Sequence, residues 1–132
     1  MREESNLPGP ATRTIGIVGP CAAGKTTLAT SLKRIGIQAR HIAQEHSYVP
    51  NMWQRITHPE ILIFLDASYP LTLERRRLDW TYPEYAEQQH RLRHARQHAD
   101  LYVNTDDLTP EEVLTTVLDF LNRVSTEPYI PH

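Results

Sequence analysis

The feature that most constrains this chain is the eight-residue stretch GPCAAGKT at residues 19–26, which satisfies the pattern G-x-x-x-x-G-K-[ST]. The apolar run at 14–18 predicts a short buried strand immediately before it. The stretch Thr27–Ile35 has Leu28 and Leu32 on one face and predicts an amphipathic helix immediately after it. The order strand, loop, helix therefore predicts that the motif forms a phosphate-binding loop.

The residue types in this loop match the chemistry of phosphate binding. Gly19 and Gly24 permit backbone conformations that turn successive N–H groups inward, around phosphate oxygens. We expect Lys25 to reach the β- and γ-phosphates and Thr26 to offer its hydroxyl to Mg²⁺, while the helix N-terminus adds roughly half a positive charge. The predicted nucleotide contacts in the loop are Gly19, Cys21, Ala22, Ala23, Gly24, Lys25, Thr26 and Thr27.

This interpretation assigns the buried contact of Lys25 to a ligand phosphate. It therefore predicts that Lys25→Ala sharply weakens nucleotide binding and leaves the fold intact. Cys21 is the single cysteine and cannot form an internal disulfide, which fits a reducing compartment. Its place in the loop favours a small, loop-filling residue over a redox switch.

Length and charge exclude several classes of protein. A chain of 132 residues is large enough for one core and too small for two. Its formal net charge of −2 argues against nucleic-acid binding through the overall field, so we expect no nucleic-acid partner. No apolar run approaches the ~20 residues of a membrane helix, and residues 1–13 lack a signal-peptide core. We therefore expect a cytoplasmic protein with no membrane partner.

Strand-like and helix-like segments alternate along the chain. The strongest strand signal is Ile61–Asp66, an apolar run that is typical of a central parallel strand, whereas the polar segment 37–43 suits a sheet edge. A last strand is predicted at 101–103, and helices are predicted to start at Pro70, Glu84 and Thr109. This alternation predicts an α/β domain at 14–124 with a small, mostly parallel sheet flanked by helices, between flexible tails at 1–13 and 125–132.

In such folds, ligands bind at the carboxyl ends of the strands. Gly19, Glu45, Asp66 and Asn104 all follow predicted strands, so we expect them at that edge of the sheet.

Three stretches together resemble the small P-loop kinases, the group of nucleoside-monophosphate, shikimate and gluconate kinases. They are GPCAAGKTT, PEILIFLDASYPLTLERRR and ADLYVNTDDLTPEEVLTTVLDFL, and the resemblance covers most of residues 14–122. It implies a three-layer P-loop NTPase fold and a phosphotransferase that uses ATP and Mg²⁺ on an unidentified small-molecule acceptor. It also implies that Asn104 and Asp106 border the base.

The resemblance also implies roles for the arginines. Those at 75–77 would lie near the adenine and the transferred phosphate, so that Arg76 and Arg77 join Lys25 and Glu45 as the predicted catalytic residues. The segment 78–99 would be a lid whose arginines, Arg91, Arg93 and Arg96, close over the phosphates. The alternative for all these arginines is a solvated helix surface.

The sequence departs from the family pattern between the second strand and Ile61. The family places an acceptor-binding region and a further carboxylate-bearing strand there, but here only 44–60 is available. Either Glu45 has taken over as that carboxylate, or Asp66 serves as the Mg²⁺ aspartate beside Thr26, or the site is degenerate. The expected acceptor region consists of Glu45, Tyr48, Trp53 and Arg55.

The main alternative is a non-catalytic or regulatory nucleotide-binding module that lost the acceptor site, including an ATPase-like or GTPase-like switch. The segment 104–107 has the outline N-x-x-D of guanine readers, but it lacks the lysine after Asn104, and no D-x-x-G switch is present. His90, His94 and His98 recur at a spacing that suits a metal, although a solvated or phosphate-facing surface is the favoured interpretation.

Overall fold

The centre of the structure is a sheet of four parallel strands in the order β2-β1-β3-β4. The computed structural model describes residues 13–76 and 79–124, without the side chain of Arg76. The strands are β1 Ile15–Val18, β2 Ala39–His41, β3 Ile61–Asp66 and β4 Leu101–Asn104. The helices are α1 Lys25–Arg34, α2 Met52–Ile56, α3 Tyr69–Arg76, α4 Tyr82–Arg91, α5 Arg93–His98 and α6 Pro110–Val124, and a 3₁₀ turn covers Gln44–His46.

The sheet confirms the predicted α/β class, and the strands pair in parallel throughout. All six residues of β3 are buried, as the apolar run predicted for a central strand. β2 lies at the sheet edge, as its polar composition predicted. The predicted tails fall on residues 1–12 and 125–132, which lie outside the described residues.

Helices cover both faces of the sheet. Side chains along a strand alternate between the faces, so Ile61, Ile63 and Leu65 pack with α1 and α6. Leu62 and Phe64 point the other way and pack with Trp53 of α2 and with the segment around Leu92. The result is a sheet between two helical layers, and each face has its own apolar cluster.

The helix predicted to start at Glu84 differs from one continuous helix, and it packs against the sheet. The helix is interrupted at Leu92, which separates α4 from α5. Leu92 and Ala95 are both completely buried against the sheet. This segment has few apolar residues, so its sequence did not indicate this packing. Two buried apolar side chains are enough to anchor a short helix.

Two of the helices begin with a capping box. At the start of α6, the Thr109 hydroxyl accepts from the Glu112 N–H and the Glu112 carboxylate accepts from the Thr109 N–H, a capping box. Thr81 and Glu84 form the same pair at the start of α4. Within residues 13–76 and 79–124, none of the helices has the length and apolar character needed to cross a bilayer.

Candidate functional site

The loop 19–26 connects β1 to α1 and contains three residues at positive φ. Gly19 has φ +153°, and a Cβ built there would lie 2.0 Å from the carbonyl oxygen of Leu65 in β3. Ala22 and Gly24 have φ of +69° and +103°. At position 19 any larger residue would clash with the Leu65 carbonyl oxygen. At position 24 the backbone conformation favours glycine.

The loop presents backbone donors at the start of α1. Lys25, Thr26 and Thr27 are the first three residues of this helix, so their N–H groups have no partner within it. Neither these N–H groups nor that of Gly24 donates to any other described residue. The space around a Cβ at Gly24 is also open to 4 Å. Together these features leave backbone donors at the start of α1 with open space in front of them, a geometry that suits an anion.

Lys25 is buried and bound to the protein itself. Its Nζ donates to the carbonyl oxygens of Gly19 and Pro20, at 2.7 and 3.1 Å, and to Oε2 of Glu45 at 3.0 Å. The prediction from sequence assigned the buried contact of Lys25 to ligand phosphate alone. The structure corrects that assignment, because the lysine already neutralises a buried carboxylate.

Glu45 reaches Lys25 because of the order of the strands. β2 pairs directly with β1, and Glu45 lies in the 3₁₀ turn that follows β2, so its side chain arrives beside the loop. The side chain is 4% exposed. Its Oε1 is the one buried side-chain polar atom in the described residues that has no hydrogen-bond partner. Native proteins seldom leave such an atom unpaired, and this oxygen is therefore available to a ligand.

The loop 19–26, the Glu45 side chain and the ends of neighbouring strands surround a cavity. Its volume of about 500 Å³ is within the range of small-molecule sites. Arg75 of α3 joins two of its walls by donating to Ala22 O and to Thr105. Thr105 in turn donates to Ala23 O at 3.1 Å. These contacts brace the loop from the side of β4. The lining consists of residues 21–28, His41, Glu45, His46, Arg75, Thr105, Leu108, Pro110 and Val113.

Burial and a nearby positive charge shift the pKa of His41, which lines the cavity. Partial burial lowers the pKa of His41, and the Lys25 ammonium group lowers it further. Glu45 opposes this shift. His41 is therefore held in its neutral form over more of the acidic range than a free histidine.

Asp66 lies on the other face of the sheet, in a closed set of hydrogen bonds that we call the Asp66 network. Its Oδ1 accepts from the Ala67 N–H and from Gln89, and its Oδ2 accepts from Arg96 and Tyr102. Burial, followed by the hydrogen bond to Asp66, raises the pKa of Tyr102. Asp66 does not belong to the lining of the cavity, so the structure does not bring it together with Thr26.

Asn104 and Asp106, the predicted base-contacting pair, form hydrogen bonds with other groups of the protein. The Asn104 side chain accepts from the Asp106 N–H at 2.9 Å, and the Asp106 carboxylate accepts from the Ser68 N–H. Of this loop, Thr105 lines the cavity and its two neighbours do not.

The predicted phosphate-binding arginines have different partners in the structure, and the sequence did not predict which of them reaches the loop. Arg75 reaches the loop, whereas Arg77 and the side chain of Arg76 lie outside the described residues. In the segment predicted as a lid, Arg96 binds Asp66 and Arg91 lies over the Tyr48 ring. Arg93 donates to the carbonyl of His90 in its own segment.

The expected acceptor residues are separated in the structure. Glu45 lines the cavity, but Trp53 is 4% exposed within the apolar cluster on the opposite face. Tyr48 is 82% exposed, and Arg55 is also exposed. None of these last three lines the cavity in the part of the chain that the structure describes.

The three spaced histidines include one close pair. The rings of His94 and His98 stack with centroids 4.2 Å apart, and the Trp53 indole N–H donates to His94 Nδ1. Burial lowers the pKa of His94, and the charge of His98 lowers it further. The tryptophan contact makes His94 part of the packing of α5.

Sequence reasoning missed Gln88 and His46. Gln88 of α4 accepts from the Cys21 N–H at 3.0 Å and donates to Cys21 Sγ at 3.2 Å. His46 follows Glu45 directly, with Nε2 3.7 Å from the Glu45 carboxylate. The adjacency of His46 to a predicted catalytic glutamate was a usable signal, but 67 residues separate Gln88 from Cys21 and no local pattern connects them.

Comparison with known proteins adds no assignment. No protein-family model matches the chain, and a search of curated proteins finds no significant relative.

Proposed function

We propose that this protein is a P-loop NTPase that binds ATP with Mg²⁺ in the cavity beside Lys25 and transfers the γ-phosphoryl group to a small molecule. The observation that carries the proposal is the loop itself. Unpaired N–H groups at the start of α1, the buried Lys25 and the open space at Gly24 meet at one end of a parallel sheet. This is the arrangement that favours a polyphosphate.

The fit to Mg²⁺ depends on oxygen donors. Thr26 is exposed at the start of α1, and Glu45 has an unpartnered carboxylate oxygen at the cavity. Both are hard oxygen ligands of the kind Mg²⁺ takes, and Mg²⁺ when bound would neutralise part of the phosphate charge. Of the two carboxylates that the sequence left open, Glu45 is the one we assign to this role, because every oxygen of Asp66 already accepts hydrogen bonds.

The residues of the chain would act mainly by positioning and charge. Lys25 would exchange its Glu45 contact for phosphate oxygens, and the N–H groups of the loop would hold the remaining oxygens. Arg75, already hydrogen-bonded to the loop, is the described arginine best placed to offset negative charge. The acceptor would enter from the side of Glu45 and His46, which line the same cavity.

A second candidate is a nucleotide-binding module that does not transfer phosphate. It is favoured by the separation of Trp53, Arg55 and Tyr48 from the cavity, which leaves the expected acceptor region without an enclosed pocket. The local hydrogen bond of Asn104 to Asp106 gives no support to guanine recognition by this pair.

Calorimetric titration with ATP, with and without Mg²⁺, followed by phosphate-release and acceptor assays, separates these proposals. The kinase proposal expects tight Mg²⁺-dependent binding and turnover with at least one acceptor, with turnover lost in Glu45→Gln. The matched control is Glu87→Gln, a carboxylate paired with Arg91 on the surface of α4. Binding with no turnover over any acceptor would remove the kinase proposal and leave the module, and preference for GTP would contradict the choice of ATP.

A further inference from the structure

Three potential metal ligands lie close together at the cavity, and of these only Glu45 has a role in the proposed Mg²⁺ binding. Cys21 Sγ, a carboxylate oxygen of Glu45 and a ring nitrogen of His46 all lie within 4.8 Å of one another. Cys21 comes from the loop after β1, and the other two come from the turn after β2. The pairing of β1 with β2 therefore brings together three ligand atoms from two segments.

We propose that Cys21, Glu45 and His46 form a binding site for a zinc ion at the rim of the cavity. Thiolate, imidazole and carboxylate are the three side-chain ligands that zinc takes in proteins. Around one tetrahedral zinc ion such atoms lie about 3.5 Å apart. Small side-chain rotations would close the present separations to that value.

The second observation that supports a cation here is the unpaired oxygen of Glu45. The side chain is 4% exposed, and its Oε1 has no hydrogen-bond partner among the described residues, although its Oε2 accepts from Lys25. A buried carboxylate oxygen without a donor is the atom that a metal ion would satisfy.

The charges around the site are compatible with a divalent cation. A Cys21 thiolate and the Glu45 carboxylate would supply two negative charges, and among the described cations Lys25 is the one that donates to this carboxylate, whereas Arg75 and Arg91 donate to the backbone carbonyls of Ala22 and Glu45. Lys25 also keeps the carbonyl oxygens of Gly19 and Pro20 as partners, so Glu45 is free to turn toward the ion without leaving the lysine unpaired. The Gln88 side chain accepts from the Cys21 N–H and donates to the Cys21 sulfur. These two contacts fix the thiol at the cavity.

The proposed zinc site shares Glu45 with the proposed Mg²⁺ binding and differs from it in its other two ligands, Cys21 and His46. Sulfur and imidazole favour zinc and cobalt over magnesium, which prefers oxygen. Zinc binding also needs no nucleotide, so it stands or fails independently of the proposed function.

The test uses the reduced full chain without nucleotide, titrated with Co²⁺ and then with Zn²⁺. One Co²⁺ per chain with near-ultraviolet sulfur-to-cobalt absorption is expected, followed by displacement by Zn²⁺. Cys21→Ser should abolish the absorption, and both Cys21→Ser and His46→Gln should weaken Zn²⁺ affinity by about tenfold or more. Thermal melting of each variant without metal checks that it is folded.

The matched control is His98→Gln, which removes an imidazole from the stacked pair with His94 on α5. The proposal expects zinc affinity unchanged in this variant. Absence of sulfur-to-cobalt absorption in the folded wild-type chain would overturn the proposal, as would zinc binding that survives Cys21→Ser and His46→Gln but is lost in His98→Gln.

Discussion

Two buried carboxylates lie at the carboxyl ends of the two strands that flank β1, and their surroundings differ. The carboxylate of Asp66, the last residue of β3, accepts four hydrogen bonds, from a backbone N–H and three side chains. The carboxylate of Glu45, after β2, accepts from Lys25 through one oxygen, and its other oxygen has no partner among the described residues. A fully paired carboxylate stabilises its own surroundings, whereas a half-paired one at a cavity is available to a ligand.

The difference follows from the sheet faces. Asp66 lies on the face covered by α4 and α5, whose Gln89 and Arg96 reach its oxygens. Glu45 lies beside the loop, and among the described residues Lys25 alone donates a hydrogen bond to its carboxylate. We therefore expect substitutions at the Asp66 network to affect stability and those at the cavity to affect ligand binding.

The largest effect is expected where the two regions touch, at Gly19. A Cβ there would lie 2.0 Å from the Leu65 carbonyl oxygen, in the residue before Asp66. Gly19→Ala should lower the free energy of unfolding by about 3 kcal/mol or more, because the clash adds to backbone strain. Urea denaturation measures this change, and an unfolding free energy within about 1 kcal/mol of wild type would show that the loop has another conformation.

The second prediction separates the two carboxylates directly. Asp66→Ala should cost about 3 kcal/mol of stability, because it leaves Arg96 and Tyr102 without their acceptor, while the Kd for Mg²⁺-ATP of the folded protein stays unchanged. Glu45→Gln should cost less, about 2 kcal/mol, because Lys25 loses its buried countercharge but keeps two carbonyl partners, and it should abolish the Mg²⁺ dependence of binding. Denaturation and calorimetry of both variants test this pair, and the reverse pattern would contradict it.

The third prediction compares two glycines. Gly24 and Gly36 have φ of +103° and +88°, and a Cβ at either would meet nothing within 4 Å. Each change to alanine should therefore cost about 1–2 kcal/mol. Gly24 lines the cavity and Gly36 does not, so only Gly24→Ala should also weaken ATP binding. Equal ATP affinities in the two variants would show that the open space at Gly24 holds no ligand.

The smallest expected effect is the pH dependence of stability that comes from His94 of α5. Burial lowers the pKa of His94 below its usual 6.5, so the folded state favours the neutral ring that accepts from Trp53. The unfolded chain binds more protons in that window, so stability should be intact above pH 6.5 and fall as the pH drops toward the lowered value.

Denaturation between neutral and mildly acidic pH measures this dependence. His94→Gln should reduce it, while His41→Gln tests the second histidine with a lowered pKa. An unchanged pH dependence in His94→Gln would remove His94 as its source.

Local patterns in the sequence predicted much of the fold. The apolar run Ile61–Asp66 and the capping box at Thr109 match the structure because each depends on neighbouring residues alone. The attachment of α5 through Ala95 could not be read in this way, since one small residue carries no periodic signal.

The position of the loop between β1 and α1 could be predicted from the sequence, whereas the choice of the carboxylate beside it could not. The spacing of Gly19, Gly24 and Lys25 defines the loop without tertiary information. Choosing between Glu45 and Asp66 required knowing that β2 lies next to β1, and strand order is a long-range property. The contact of Gln88 with Cys21 also depends on long-range packing, which a local sequence pattern does not indicate.

The most direct test of the central claim is calorimetric titration of Mg²⁺-free ATP into two variants, Glu45→Gln and the double variant Glu45→Gln with Lys25→Ala. The shared Glu45→Gln change removes the buried charge that Lys25→Ala alone would leave unpaired. The account predicts saturable 1:1 binding in the single variant and an affinity at least about tenfold weaker in the double variant, because a charge-assisted phosphate contact is lost. Equal affinities in the two folded variants, or no binding to the single variant, would contradict it.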